Sequence, residues 1–349
     1  MIYFNSDYTE GAHPLILERL LETNLCQTVG YGEDEYCENA RNLIKKACGR
    51  NDIDVHFLVG GTQANTTVIA SILKPYQAAV STKTGHINVH ETGAIEATGH
   101  KVIGLECESD GKLSAKAVED FYNAHWNDVT HEHQPQPKLV YISNSTENGA
   151  VYKKSELKAL SEVCKKCGLY LFLDGARLGY ALASPENDLT LNDLCEYCDV
   201  FYIGGTKVGA LFGEAVVIIN PALKEDFRYN IKQRGGMLAK GRLLGLQFET
   251  LFTDDLYFKI SHHAVKLAFK IADALTENGV KFLSTPISNQ IFPIFTNEVI
   301  KRIEEKYLIS FWEKVDEERS AIRICTSWAT KEENADKLIK DILEIIKEK

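Results

Sequence analysis

No stretch of this 349-residue chain approaches the roughly 18 consecutive apolar residues of a membrane span. The first residues, MIYFNSDYTEG, carry acids and no long apolar core, so no secretory leader is expected there. There is no basic run, and the formal net charge is −10, which argues against a nucleic-acid partner. No G-x-G-x-x-G opens a βαβ unit, so a dinucleotide cofactor fits poorly. Internal repeats and low-complexity tracts are also lacking. These absences leave a cytoplasmic protein of ordinary globular composition, long enough for a large domain and a smaller one.

Cysteine is present but in the wrong arithmetic for a disulfide framework. There are nine, an odd number, with no secretion signal. Two C-x-x-C pairs, Cys164/Cys167 and Cys195/Cys198, have zinc-ribbon spacing. The gap between them is long and contains a strand-like run. Both pairs also fall in helix-like segments, where small apolar side chains pack well. Reduced, partly buried thiols are therefore expected, and no metal. The triplet His131-Glu132-His133 lies in a polar stretch and reads as linker.

The positive signals sit where apolar runs end. Val200–Ile203 reads as a buried strand that breaks at Gly204-Gly205-Thr206 and presents Lys207. Lys207 is either a loop lysine in water or an amine held beside a cofactor carbonyl, with its pKa lowered so that it forms a Schiff base. Upstream, Leu169–Leu173 ends in Asp174-Gly175-Ala176-Arg177, a carboxylate where open α/β sheets bind ligands. Val55–Val59 ends in Gly60-Gly61-Thr62-Gln63-Ala64-Asn65, which opens a helical pattern and offers backbone N–H groups to a phosphate. Pyridoxal phosphate (PLP) asks a protein for these three things: a lysine, an acid for the pyridine nitrogen and donors for the phosphate.

With those pieces in order, the sequence resembles the threonine aldolase family of PLP enzymes, fold type I, over nearly its whole length. The matching pieces are NSDYTEG (5–11), GYGEDE (30–35), GGTQAN (60–65), GHINVHETGA (85–94), STENG (145–149), FLDGARL (172–178), YIGGTKVG (202–209), RGGM (234–237) and AIRICTSW (321–328). HIN followed by ETGA is closer to the phenylserine-aldolase-like branch than to the commonest low-specificity members. The resemblance implies an α/β large domain with a central, mostly parallel sheet and a smaller α+β C-terminal domain. Boundaries are expected at 1–14 for an N-terminal segment, 15–254 for the PLP domain and 255–349 for the small domain.

It also implies roles. Lys207 holds the cofactor, Asp174 faces the pyridine nitrogen, and His86 stacks on the ring. Gly61, Thr62 and Gln63 meet the phosphate. Ser6, Arg177 and Arg323 hold the substrate carboxylate, and Tyr31 reaches the active site from its loop. His86, or a water it orients with Glu91, takes the β-hydroxyl proton. The sequence departs from the family after the GGM turn, where Leu238 replaces a phosphate-binding arginine; Lys240 or Arg242 stands in for it. The implied reaction is cleavage of a β-hydroxy-α-amino acid (threonine, allo-threonine or phenylserine-like) to glycine and an aldehyde, in a homodimer or homotetramer with shared active sites. β-Elimination, transamination and a catalytically silent PLP-binding protein stay open, because bond choice depends on geometry.

Overall fold

A computed structural model describes residues 1–348. Its centre is a seven-stranded sheet in the order Asp54–Leu58, Glu214–Ile218, Val200–Gly204, Tyr170–Asp174, Gln136–Ser143, Gln77–Thr82 and Lys101–Leu105. All neighbours are parallel except Glu214–Ile218, which runs antiparallel to both strands beside it. This is the α/β class with a central, mostly parallel sheet.

The strand sequences explain the layering. Every residue of Val200–Gly204 and of Glu214–Ile218 is buried, as suits strands covered on both faces by helices. Successive side chains point to opposite faces. Leu171 and Leu173 therefore join one core with Ile44, Leu157 and Phe248, while Phe172 joins the other with Val68, Tyr141 and Ile231. The helices carry their own start signals. Glu35–Cys48 begins at Asp34, whose carboxylate accepts the Cys37 N–H at 2.9 Å, and ends with Lys45 and Lys46 in its last turn.

Some expectations shift. The sequence pattern over Phe227–Leu251 predicts one long helical region, and the structure makes two helices of it, Phe227–Gln233 and Arg242–Phe252. The break contains Gly235 at φ +72°, a left-handed conformation that ends helices. Residues 1–14 show no regular pattern in sequence, yet Ile2–Tyr3 pairs in parallel with Tyr307–Leu308, and Phe4 is buried in the C-terminal core. The sequence pattern predicts a helix over Glu298–Tyr307, but that pairing takes Tyr307 into a strand and the helix ends at Glu304.

The C-terminal part is an antiparallel sheet. Arg319–Cys325 pairs with Gln290–Ile291, Pro293–Thr296 and Ser310–Lys314, and Lys281–Phe282 lies beyond Pro293–Thr296. Its apolar core is closed by the helices Leu256–Glu277 and Glu332–Lys347. Cys164, Cys167, Cys195 and Cys198 are buried free thiols. Among the described residues no group of three or more His, Cys, Asp or Glu is placed to hold a metal ion, and no helix is long and apolar enough to cross a membrane.

Candidate active site

The C-terminal ends of the parallel strands lie along one edge of the sheet, where such sheets place their ligands. Gly60 follows the strand ending at Leu58, His86 follows the one ending at Thr82, and Ser143 and Asp174 end theirs. Lys207 lies just beyond Gly204. The antiparallel strand starts on this same edge, which delivers Glu214. These residues line one cavity of about 300 Å³.

Two glycine turns press the halves of the site together. A side-chain carbon on Gly175 would lie 1.8 Å from the Tyr202 carbonyl, and one on Gly204 would lie 2.4 Å from the Ala176 carbonyl. No side chain fits between them, and Gly204 N–H donates to the Gly175 carbonyl at 2.9 Å. Asp174 and Lys207 therefore share one chamber. The lysine's backbone is fixed as well, since Tyr180 Oη donates to the Lys207 carbonyl at 2.5 Å.

The chamber is a strongly coupled set of charges. Burial pushes the Lys207 amine down, and Arg177 adds to that; Asp7, Asp174 and Glu214 oppose it, and the net direction is down. Burial raises the Asp174 carboxyl, but His86, the Tyr141 and Tyr202 hydroxyls and the Ala176 N–H outweigh it, so it is held below the ordinary carboxylate value. Asp174 thus stays ionised in a nearly dry site. Glu214 goes the other way, pushed by burial up to about 8 despite accepting from Thr206 Oγ1 at 2.8 Å and from the Gly205 N–H at 3.2 Å.

His86 lines the cavity, and its Nδ1 lies 2.7 Å from Glu91 Oε1. Burial lowers its pKa, but the Glu91 contact and the charges of Asp174 and Glu91 reverse this, so the imidazolium is favoured. Glu91 departs from its expected place. It lines no wall of the chamber, and Oε1 is taken by both His86 and Asn65 Nδ2, the latter at 2.7 Å. It is a buried support for His86 rather than a group facing a water. Asn65 is the piece that sequence reasoning did not assign. Its amide also donates to Asp174 Oδ2 at 3.1 Å, tying the two carboxylates together. Its position four residues into the GGTQAN helix, one turn beyond Gly61, was the available signal.

The helix Gly61–Ile72 points its first turn at the chamber, with Gly61 and Thr62 on the wall. Gly60 supplies no side-chain cap, so the first-turn N–H groups remain available to an anion. The Gln63 side chain is engaged elsewhere: it accepts from the Val59 N–H at 3.1 Å and donates to the Arg234 carbonyl at 3.1 Å. A buried amine, an ionised carboxylate, an imidazole and an open helix N-terminus around one cavity fit pyridoxal phosphate.

A second cavity, of about 410 Å³, shares Tyr8, His86, Glu147, Arg177 and Lys207 as a common wall and adds Arg323, Gln290, Ser310 and Trp312. Arg177 is not the free clamp expected. Its Nε and Nη2 hold Asp7 at 2.7 and 3.0 Å, which leaves Nη1 for a ligand. Arg323 stands 5.4 Å from the Trp312 ring centroid and donates to the Asn5 carbonyl at 2.9 Å. Ser6 is buried but lines neither cavity. Tyr31 and Lys240 are also elsewhere in this chain, on two interlocked loops joined by Tyr31 N–H to the Ala239 carbonyl at 3.2 Å. Arg242 is unavailable, since its guanidinium is buried on the Thr23 and Cys26 carbonyls. Sequence reasoning missed Glu147, Glu214, Tyr8 and the strand that brings Trp312.

Fold and chamber together define a PLP-dependent enzyme of fold type I. The aspartate aminotransferase of Thermus thermophilus, 15% identical and covering 99% of this chain and 91% of its own, superposes with a TM-score of 0.70, which speaks for the fold alone. The chain belongs to the beta-eliminating lyase family, whose model matches residues 4–337. It is 30% identical to the low specificity L-threonine aldolase of Pseudomonas aeruginosa over 97% of its own length and 96% of that protein's. The structure of Leishmania major threonine aldolase matches it with a TM-score of 0.96 at 45% identity, covering 99% of this chain and all of that one.

Proposed function

We infer that this chain is a PLP-dependent aldolase that cleaves threonine-type β-hydroxy-α-amino acids to glycine and an aldehyde. One observation carries the reading: a buried lysine and an ionised carboxylate share a chamber that has a common wall with a second cavity lined by two arginines. The threonine aldolases it resembles over their full length support the same reaction.

When bound, pyridoxal phosphate supplies an electron sink for charge left on the substrate's Cα. The remaining work belongs to the chain. Lys207, its pKa lowered by burial and by Arg177, would hold the cofactor through its carbonyl carbon. Asp174 keeps the ring-nitrogen proton in place. The N–H groups of Gly61, Thr62 and Gln63 receive the phosphate. His86, steadied by Glu91, would help to hold the ring. Arg177 Nη1 and Arg323 orient the substrate's carboxylate, which sets the Cα–Cβ bond for cleavage.

The chain is also inferred to work as a homo-oligomer. Leu17, Leu21, Leu25 and Val29 are exposed apolar residues that lead directly to Tyr31. A second copy covering them would bring Tyr31 and Lys240 towards a neighbour's chamber.

The test is product analysis. Parent protein given L-threonine should release acetaldehyde and glycine, and Lys207→Ala should release neither. Full activity in that variant would sink the reading. The family description keeps β-elimination in view; a keto acid and ammonia in place of glycine and aldehyde would establish it instead.

A further inference from the structure

We propose that Glu147 is the catalytic residue that takes the proton from the substrate's β-hydroxyl. The proposal rests on the aldolase reading above and names the group that reading leaves open.

Geometry comes first. Glu147 lies on the wall shared by the cofactor chamber and the outer cavity, and among the described residues it is the only carboxylate lining the outer cavity. Oε1 is anchored by the His86 N–H at 3.0 Å and by Ser143 Oγ at 2.8 Å. Both of these contacts from other residues go to Oε1, and Oε2 accepts none from another residue among the described ones. One oxygen is thus fixed and the other is free to accept. The turn that carries it is rigid: Thr146 N–H donates to the Ala150 carbonyl at 2.8 Å, and Gly149 N–H to the Thr146 carbonyl at 3.0 Å.

The competing groups are worse acceptors. His86 is held through Nδ1 to Glu91 at 2.7 Å, and the charges of Glu91 and Asp174 shift it towards the imidazolium. Glu91 lines neither cavity, Asp174 lines only the inner one, and so does Glu214. Around Glu147 stand His86, Asp174, Arg177 and Lys207. Burial raises its own carboxyl and Asp174 adds to this; Ser143 and His86 oppose it, and the net direction is up. A carboxylate shifted towards neutrality is a stronger base than an ordinary glutamate.

The step balances. The β O–H bond breaks and its proton passes to Glu147 Oε2. The O–H electron pair becomes the aldehyde's C=O bond. The Cα–Cβ bond breaks and its pair stays on Cα, where protonation completes glycine. Glu147–H then returns its proton to water.

The experiment separates this step from everything around it. Glycine has no β-hydroxyl, so its binding and the exchange of its α-hydrogen do not need Glu147. In the Glu147→Gln holoenzyme, kcat for cleavage of L-threonine should fall by about 10²–10⁴-fold. The Kd for glycine, read by titration, and the rate of glycine α-hydrogen exchange in D2O, read by NMR, should stay near the parent's. Cleavage within tenfold of the parent would overturn the proposal. Loss of glycine binding and exchange along with cleavage would also overturn it, by making Glu147 a structural residue. A parent enzyme that exchanges glycine but cleaves no β-hydroxy amino acid would sink the aldolase reading itself. Should Glu147→Gln not fold, Glu147→Asp, which draws the oxygens back by one methylene, should show the same selective loss of cleavage.

Discussion

Replacing Glu214 with Gln should remove a pH dependence from the stability of the cofactor-free protein. Glu214 is 3% exposed, and burial pushes its carboxyl from the ordinary 4.5 up to about 8. Between those values the folded chain keeps a proton that the unfolded chain has released. The folded state then binds more protons, so stability falls as pH rises through the window. The contribution is present in full below 4.5 and is lost once pH passes about 8. One proton limits the slope to about 1.4 kcal/mol per pH unit, and a few such units make the whole effect a few kcal/mol. Gln keeps the shape and cannot ionise. The assay is urea unfolding of cofactor-free parent and variant at half-unit steps from about pH 5 to 8. His86 and Glu147 also shift upward, but they are present in both proteins and cancel in the difference to first order. The variant should gain on the parent steadily as pH rises. A difference that is flat with pH would refute the reasoning.

Asn65→Leu should destabilise the protein by about 3 kcal/mol or more in the same denaturation assay, because two hydrogen bonds to buried carboxylates are each worth about 1.5–3 kcal/mol. A loss under about 1 kcal/mol would show that Asp174 and Glu91 do not depend on it. Asp7→Asn should cost about 3–5 kcal/mol, since it leaves the Arg177 guanidinium buried without its counter-charge. Burial raises Asp7, but Arg177 and then Lys207 outweigh it and hold it below 3.8. Its contribution is therefore present above 3.8 and lost as pH falls through the lower folded value, so acid unfolding of the parent should lose that share while Asp7→Asn has none to lose. Equal acid profiles would contradict the pairing.

Lys207, Asp174 and Gly61 are legible in sequence because parallel strands deliver whatever follows them to one edge, so reading the strand ends amounts to reading the site. Glu214 is not legible in that way. It begins a strand, and only knowing that this strand runs antiparallel puts its first residue on the edge where the others end. Nor does local pattern separate Glu91 from Glu147. Both follow strands, and the difference lies in which one the packed chain turns towards the cavity.

The alternation of apolar runs and helical periods, the glycine turns and the order of lysine, acid and phosphate loop are local properties, and they determined the α/β class and the kind of cofactor. The partners of those residues are not local. Arg177 meets Asp7 across 170 positions, Asp7 meets Asn289 across 282, and Arg323 reaches Asn5 across 318. Contacts of that range form only when the C-terminal sheet packs beside the N-terminal segment and the edge of the central sheet. Which groups stay charged, and which oxygen is left free to accept a proton, was decided by that packing, because burial and neighbouring charge set ionisation more strongly than residue type does.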